Sequence, residues 1–351
     1  MNSRAAKPVT PGRLGWGRLA GEAVLALFMA AGALRLYLLL LPREFIRSSM
    51  VAEDVVHGVP PWRIFQSRVL GPQLVHALSE LTHSPPAVVY GFVALALLFA
   101  CGFLILRLGA KLRDPERPAL GSLLIYQVLL CLMLPCIWLY VWDLISLVVF
   151  VVFNYLVLRG AGRWSMTLLF VGGIFNHEIA LAIAAWMALD PLARWLGARR
   201  VGANVPFDRA NALFGLALMA AGAALVELLR RALLVREVPP EGADALARHG
   251  GSLHFTLARN WDAIAHAFTF APQAGLQFVV PLFLVLVLAV AFRLARADVP
   301  RFGALAIVTI GMVISMLSFG LILETRVLLP LVPFVAINGW AVLRGRASNA
   351  A

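Results

Sequence analysis

The chain has 351 residues, of which 61% are hydrophobic and only 14% charged, with a formal net charge of +12 and a mean hydropathy of +0.86. That much apolar surface exceeds what a soluble core of this size buries. Its repeated apolar runs match the roughly 20 residues a helix needs to cross hydrocarbon, so composition excludes a soluble domain and predicts an all-α, polytopic helical membrane protein. The arginines fall in short loops between apolar runs, where they set orientation, so the basic balance does not point to nucleic acid.

Residues 1–19 read as a cytoplasmic tail carrying Arg4, Lys7, Arg13 and Arg18. The following run, 20–41, shows no obvious small-residue cleavage site and is long enough to span, so it reads as a retained first helix. Further spans are predicted over 87–108, 119–139, 144–158, 211–229, 275–294, 303–322 and 327–343, about eight full spans in a single membrane domain. Between the first two, residues 42–86 form a first outer loop with Glu44, Glu53 and Asp54, followed by Pro60-Pro61-Trp62. From Trp62 to Leu81 the apolar positions Ile64, Phe65, Val69, Leu70, Leu74, Leu78 and Leu81 recur near helical spacing. They predict an amphipathic helix on the outer face, kinked at Gly71-Pro72. A second outer loop, 230–274, passes from a Pro- and Gly-rich part, 239–251, to an aromatic part with Phe255, Trp261, Phe268 and Phe270, which predicts a short interfacial helix. Cys101, Cys131 and Cys136 lie inside apolar runs and read as packing residues, not a disulfide framework. No internal repeat, phosphate-binding loop or dinucleotide fingerprint is present, and the glycines are scattered as close helix packing requires.

Residues 164–190 decide the topology. The stretch is apolar on both sides of Asn176-His177-Glu178, so it is either one span or a short helical hairpin. With the N-terminus in the cytoplasm, the hairpin puts 19 Lys and Arg inside against 10 outside, whereas a single span gives 16 against 13. The positive-inside rule favours the hairpin, with both termini cytoplasmic. Each arm would be about 12–14 residues, roughly 18–21 Å at 1.5 Å per residue. Such arms do not cross the full core, so the vertex belongs in a protein-lined, wet cavity.

On that topology four polar islands share the outer side: Gln66-Ser67-Arg68-Val69-Leu70-Gly71-Pro72, Trp142-Asp143, Asn176-His177-Glu178 and Glu324-Thr325-Arg326. Charge beside a bilayer is costly and marks a substrate path, a proton path or an internal ion pair. The Arg68 guanidinium matches phosphate or carboxylate oxygens, or else snorkels to head groups. Asp143 suits a helix N-terminus and equally a cavity wall. Asn176, His177 and Glu178 form a relay, a substrate contact or the cap of the hairpin turn. His177-Glu178 is not a zinc-protease motif, because Leu181 stands where its second histidine would be. Glu324 and Arg326 are two apart, do not face each other on a helix, and need other partners. Glu178 and Asp143 are the candidates for Arg326. Glu53-Asp54, with Glu44 as a rival, supplies a general base or a solvated helix face. The histidines His57, His76, His83, His249, His254 and His266 match no ligand spacing, so no metal site is expected from them.

The order of islands resembles a broad group of bacterial multi-span proteins. The motifs are an aromatic-x-x-Arg-Val-Leu-x-Pro (Phe65, Arg68, Val69, Leu70, Pro72), an aromatic-Asp (Trp142-Asp143), an Asn-x-Glu (Asn176, Glu178), and Glu-x-Arg before Leu-Pro-Leu-x-Pro (Glu324, Arg326, Leu329 to Leu331, Pro333). The group looks like small relatives of the GT-C-type glycosyltransferases, which move a sugar from a polyprenyl-phosphate donor to an acceptor on the outer face. The resemblance spans roughly residues 44 to 335 through short motifs. It implies a bacterial inner-membrane enzyme in which Arg68 and Arg326 bind donor phosphate. Asp143, Asn176, His177, Glu178 and Glu324 would line the substrate cavity, with Glu44, Glu53 or Asp54 as base, with or without a divalent cation such as Mg or Mn. Relatives tend to carry Asn-Arg-Glu where this chain has Asn176-His177-Glu178, which lacks the fixed positive charge. Alternatives from other classes are a transporter or flippase for a lipid-linked or anionic solute, and a non-catalytic membrane subunit.

Overall fold

The computed structural model describes residues 16–58, 65, 67–113, 120–134, 138–232, 256–267, 278–320, 322 and 324–339. The tail residues 1–15, Pro60-Pro61-Trp62, Gln66, Cys136, the stretch 239–251 and Phe255, Phe268 and Phe270 lie outside them. The described residues form helices and no strand: α1 (Trp16–Leu40), α2 (Pro42–Val56), α3 (Leu70–Thr82), α4 (Pro86–Arg113), α5 (Leu120–Met133), α6 (Val141–Leu158), α7 (Arg163–Ile174), α8 (Leu181–Arg200), α9 (Arg209–Ala232), α10 (Leu257–His266), α11 (Val279–Ala297) and α12 (Val299–Phe319). A short 3-10 turn, Glu178–Ala180, precedes α8, and a composite helical segment, Thr325–Gly339, follows α12. Among the described residues, seven stretches are long and apolar enough to cross a membrane. Large apolar side chains such as Phe28, Phe92, Leu168 and Phe292 stay exposed on the bundle's outside. Hydrocarbon as solvent, with no gain from hiding such groups, accounts for that pattern.

The stretch 164–190 is a hairpin. Asn176, just past α7, donates from Nδ2 to the Trp142 carbonyl at the start of α6, at 2.7 Å. Further along α6, Phe153 meets Trp186 of α8 edge-on with ring centroids 5.9 Å apart. Helix α8 therefore runs back in the direction of α6, and α7 runs against both. The break falls at the predicted vertex, where Asn176 and His177 both donate their backbone N–H to Gly173 O. The second arm is longer than predicted: α8 continues for 20 residues through Pro191 to Arg200, while α7 has only 12. Helix α9 returns along α8, with Gly215 against Ala188 and Gly222 against Phe170 and Leu181. Its last turn thereby reaches the vertex, where Arg230 lies 3.6 Å from Glu178.

Three further differences have local causes. The segment 42–86 holds two helices instead of one, because Pro42 opens α2 at a position where its missing N–H costs nothing. Gly71-Pro72 does not kink a helix but lies in the first turn of α3. There the missing proline donor is again one that the helix start leaves unpaired, and a Cβ at Gly71 would stand 2.7 Å from Val141 Cγ1. The predicted span 119–139 shrinks to the 14 residues of α5. The predicted 327–343 span begins as 3-10 helix over Thr325–Leu331 and ends as π-helix over Val335–Gly339, because Pro330 and Pro333 each remove a donor from the regular ladder. A short helix, α10, forms in the aromatic part of 230–274 as expected, with Trp261 exposed.

These turns send one set of helix ends to a common end of the bundle. The Tyr90 hydroxyl near the start of α4 donates to Leu139 O before α6, and Thr325 Oγ1 donates to Met133 O at the end of α5, both at 2.5 Å. At the opposite end, Glu22 of α1 accepts from Arg18 at 3.2 Å and from Arg107 of α4 at 3.1 Å, and Arg301 donates to Leu158 O at 2.7 Å.

Candidate functional site

All four polar islands lie at the same end of the bundle, and three cationic side chains meet three carboxylates there. Arg68, set just before α3, donates from Nη2 to Glu178 Oε1 at 2.9 Å and from Nε to Oε2 at 3.4 Å, a two-point fork. The segment carrying it is tied to the vertex by the Leu70 N–H, which donates to Phe175 O at 3.1 Å. Arg326 lies 3.6 Å from Asp143 Oδ2 and also donates to Glu324. Of its two candidate partners it takes Asp143, while Glu178 goes to Arg68.

The pairing of Glu324 with Arg326 corrects the expectation that residues two apart cannot meet. That rule assumes α-helical geometry. Glu324 has φ −83° and ψ 85°, outside the helix, and a 3-10 stretch follows it, so the two side chains reach each other.

Aromatic rings fill the space between the arginines. Tyr140 and Trp142 stack at 4.4 Å and 19°, and Phe65 packs on both, at 5.2 and 5.1 Å. The Arg68 guanidinium lies 5.2 Å from the Phe65 ring and 5.6 Å from that of Trp142, and Arg326 lies 4.7 Å over Tyr140. Each such contact contributes about 0.5–2 kcal/mol when desolvated and fixes the plane of the guanidinium. Asp143 takes the expected place at a helix N-terminus, since its Oδ2 also accepts the Tyr140 N–H at 3.2 Å and caps α6. Asn176 holds the vertex on α6 through the Trp142 carbonyl and Ser146 Oγ, at 2.7 and 3.1 Å. Burial lifts the Tyr140 phenol to about 12 against the lowering pull of Arg326.

His177 is a structural member of the vertex. Its Nδ1 accepts the Ile179 N–H at 3.2 Å, which occupies the lone pair a proton would need. Burial, aided by the Arg68 charge, holds its imidazole down at about 3. It is therefore neutral near pH 7, and its 3.4 Å approach to Glu178 is not a charge pair.

The predicted base candidates lie on α2. Glu44 sits in its first turn, and Glu53 and Asp54 sit near its end. Glu53 Oε2 lies 3.7 Å from His57 Nε2 and 3.6 Å from His76 Nδ1, a small cluster where α2 packs on α3. No group of three or more His, Cys, Asp and Glu among the described residues is placed to hold a metal ion.

Two contributors escaped the sequence reading. Arg230 counts there only as loop charge, yet it returns on α9 to Glu178 and supplies the positive charge the Asn-His-Glu vertex lacks. Its lone signal was a basic pair closing an apolar helix. Asn260 of α10 is buried, and its Nδ2 donates to Leu317 O and Gly320 O at 2.7 and 2.6 Å while Oδ1 accepts the Ile322 N–H at 3.1 Å. It clamps the turn that leads into Glu324 and Arg326. Asn260→Leu takes the side-chain partner from Leu317 O and the Ile322 N–H, each at about 1–3 kcal/mol, while Gly320 O keeps the Thr256 hydroxyl at 2.7 Å. We expect a melting temperature several degrees lower and, if the turn alone loosens, faster hydrogen exchange confined to residues 317–326. Uniform exchange at unchanged stability would deny the clamp.

Several polar atoms of this network are buried and have no partner among the described residues: Arg68 Nη1, Arg230 Nε, Arg326 Nε, Trp142 Nε1 and the acceptor Asn176 Oδ1. Unpaired buried polar atoms are rare, and a cluster of four donors suits a ligand that accepts hydrogen bonds. The formal charges of Arg68, Arg230, Arg326, Asp143, Glu178 and Glu324 sum to zero, so an entering anion would have to compete with Glu178 for Arg68. No known protein family, curated protein or solved structure matches the chain.

Proposed function

We propose that this protein is a GT-C-like membrane glycosyltransferase that moves a sugar from a polyprenyl-phosphate donor to an acceptor on the outer face of a bacterial inner membrane. The observation that carries this reading is the convergence of Arg68 and Arg326 on an aromatic wedge at one end of a membrane bundle, with Arg230 beside Glu178 and N–H donors left unpaired among the described residues. Leaving-group phosphate is the ligand such donors suit, and held guanidinium groups stabilise the charge that develops as the sugar departs. One of Glu44, Glu53 and Asp54 takes the acceptor hydroxyl proton, and the sugar–phosphate bond breaks as the new glycosidic bond forms. The test is incubation of the purified protein in liposomes with a labelled polyprenyl-phosphate sugar and an acceptor. Label in acceptor supports the reading. Label carried across the bilayer with no transfer supports a carrier instead.

The orientation has its own test. On a background lacking the native cysteines, His57→Cys and Leu81→Cys at the polar end should react with an impermeant thiol reagent in intact cells. Val201→Cys, at the other end, should react only after permeabilisation. All three side chains are exposed, so accessibility reads sidedness directly. The reverse pattern places the site in the cytoplasm and removes the outer-face reaction.

A further inference from the structure

At the end of the bundle away from the arginine network, a cavity of about 600 Å³ opens between the α6–α7 turn, the middle of α8 and the loop that starts α9. Its walls are part apolar, with Met187, Pro191, Val205 and Pro206, and part aromatic, with Trp186 and Trp195. We propose that this cavity binds the phosphodiester headgroup of an anionic phospholipid. The inference stands apart from the proposed reaction and needs only that the bundle spans a membrane.

The hydrogen-bonding inventory points to an anion. Asp190 is engaged by Arg194 Nε at 2.7 Å, and Asp208 accepts the Asn211 N–H at 3.1 Å and its side-chain amide as well. Both carboxylates that line the cavity are thus occupied. The donors are not. Arg163 stacks over Trp164 and Phe214, at 5.3 and 5.8 Å, and forms no ion pair among the described residues. It opens α7, whose N-cap Gly162 offers no side chain to the first-turn amides. Those amides and the helix dipole favour a negative group. Trp186 lines the cavity, is only 4% exposed, and its indole N–H has no acceptor among the described residues.

Position and shape select a lipid over a free anion. The cavity sits where α7 and α9 begin, against the second half of α8, beside the exposed apolar side chains Trp164, Leu192 and Leu196, which mark the depth of the bilayer interface. Arg199, Arg200 and Arg209 add charge at the same level, and Arg199 lies 4.1 Å over Trp195. Juxtamembrane arginines attract anionic lipid by about 1 kcal/mol each. A phosphate among donors next to an apolar wall describes an amphiphile.

The test is native mass spectrometry of the delipidated full chain with phosphatidylglycerol, phosphatidylcholine or glycerol 3-phosphate. One retained phosphatidylglycerol is expected, under activation that strips phosphatidylcholine, and no retained glycerol 3-phosphate. Arg163→Gln and Trp186→Phe should each lower that occupancy at least fivefold, while Arg231→Gln, exposed at the polar end, leaves it unchanged. Trp186→Phe keeps the ring edge-on to Phe153. If it nonetheless misfolds, Arg163→Gln, whose side chain is exposed, decides alone. Unchanged occupancy in Arg163→Gln, equal retention of phosphatidylcholine, or displacement of the lipid by glycerol 3-phosphate would overturn the proposal.

Discussion

Arg68→Ala should lower stability by about 3 kcal/mol and abolish sugar transfer, and Glu178→Gln added to it should restore most of the stability but none of the transfer. Removing one partner of a buried pair strands the other, at about 3–5 kcal/mol. Arg230, 3.6 Å from Glu178, partly compensates, which sets the lower figure. The loss also includes the guanidinium packing on Phe65 and Trp142. Neutralising Glu178 removes the stranded charge, so the double variant recovers about 2 kcal/mol, the signature of direct coupling between the two sites. Transfer does not recover, because the donor phosphate still lacks its fork. Arg68→Lys separates charge from geometry: it keeps a cation near Glu178 but cannot make two parallel bonds, so stability falls little while transfer falls at least tenfold. Urea or thermal unfolding in detergent, beside the transfer assay, reads both quantities. A fully active Arg68→Ala protein would end the phosphate role of that residue, and additive effects of the two substitutions would deny the pair.

The sequence carried the placement of the charges further than it carried their pairing. The hairpin at 164–190 was legible because three polar residues interrupt an apolar stretch and the arginine count favours one topology. Both signals come from the cost of charge in hydrocarbon. Once that hairpin holds, the end of the bundle on which each island lies follows from counting helices. Which carboxylate meets which guanidinium did not follow. The Glu324–Arg326 contact depends on a backbone that two prolines and a bend take out of the α-helix, and helix spacing rules misread it. Arg230 was hidden by a different cause. Its place beside Glu178 depends on how closely α9 packs on α8, which is set by Gly215 and Gly222 far from either charge. Asn260 reads in sequence as a polar residue of a surface helix, and only the end of α12 and the turn after it give its amide three further partners beside the local Thr256 hydroxyl.

The α8–α9 contact yields the second large expected effect. A Cβ at Gly215 would stand 2.3 Å from Ala188 N and 2.7 Å from Ala188 Cα. Those are backbone atoms of a 20-residue helix, so no side chain can swing aside, and the two helices must part. Helices in a membrane associate through van der Waals packing at small residues, and a gap of 0.5–1 Å forfeits about a quarter to a half of each contact along the crossing. Gly215→Ala should therefore cost at least about 2 kcal/mol, and Gly215→Leu should prevent stable assembly. Gly172→Ala is the matched control: nothing lies within 4 Å of its Cβ, and the better helix former should stabilise by up to about 1 kcal/mol. The parting also acts at a distance, because α9 carries Arg230 to the vertex. In Gly215→Ala, replacing Arg230 by Gln should then matter less than it does in the wild-type background, in stability and in transfer alike. Melting of the four proteins in one detergent measures this. If Gly215→Ala is as stable as Gly172→Ala, the close crossing of α8 and α9 is wrong, and with it the route by which Arg230 reaches Glu178.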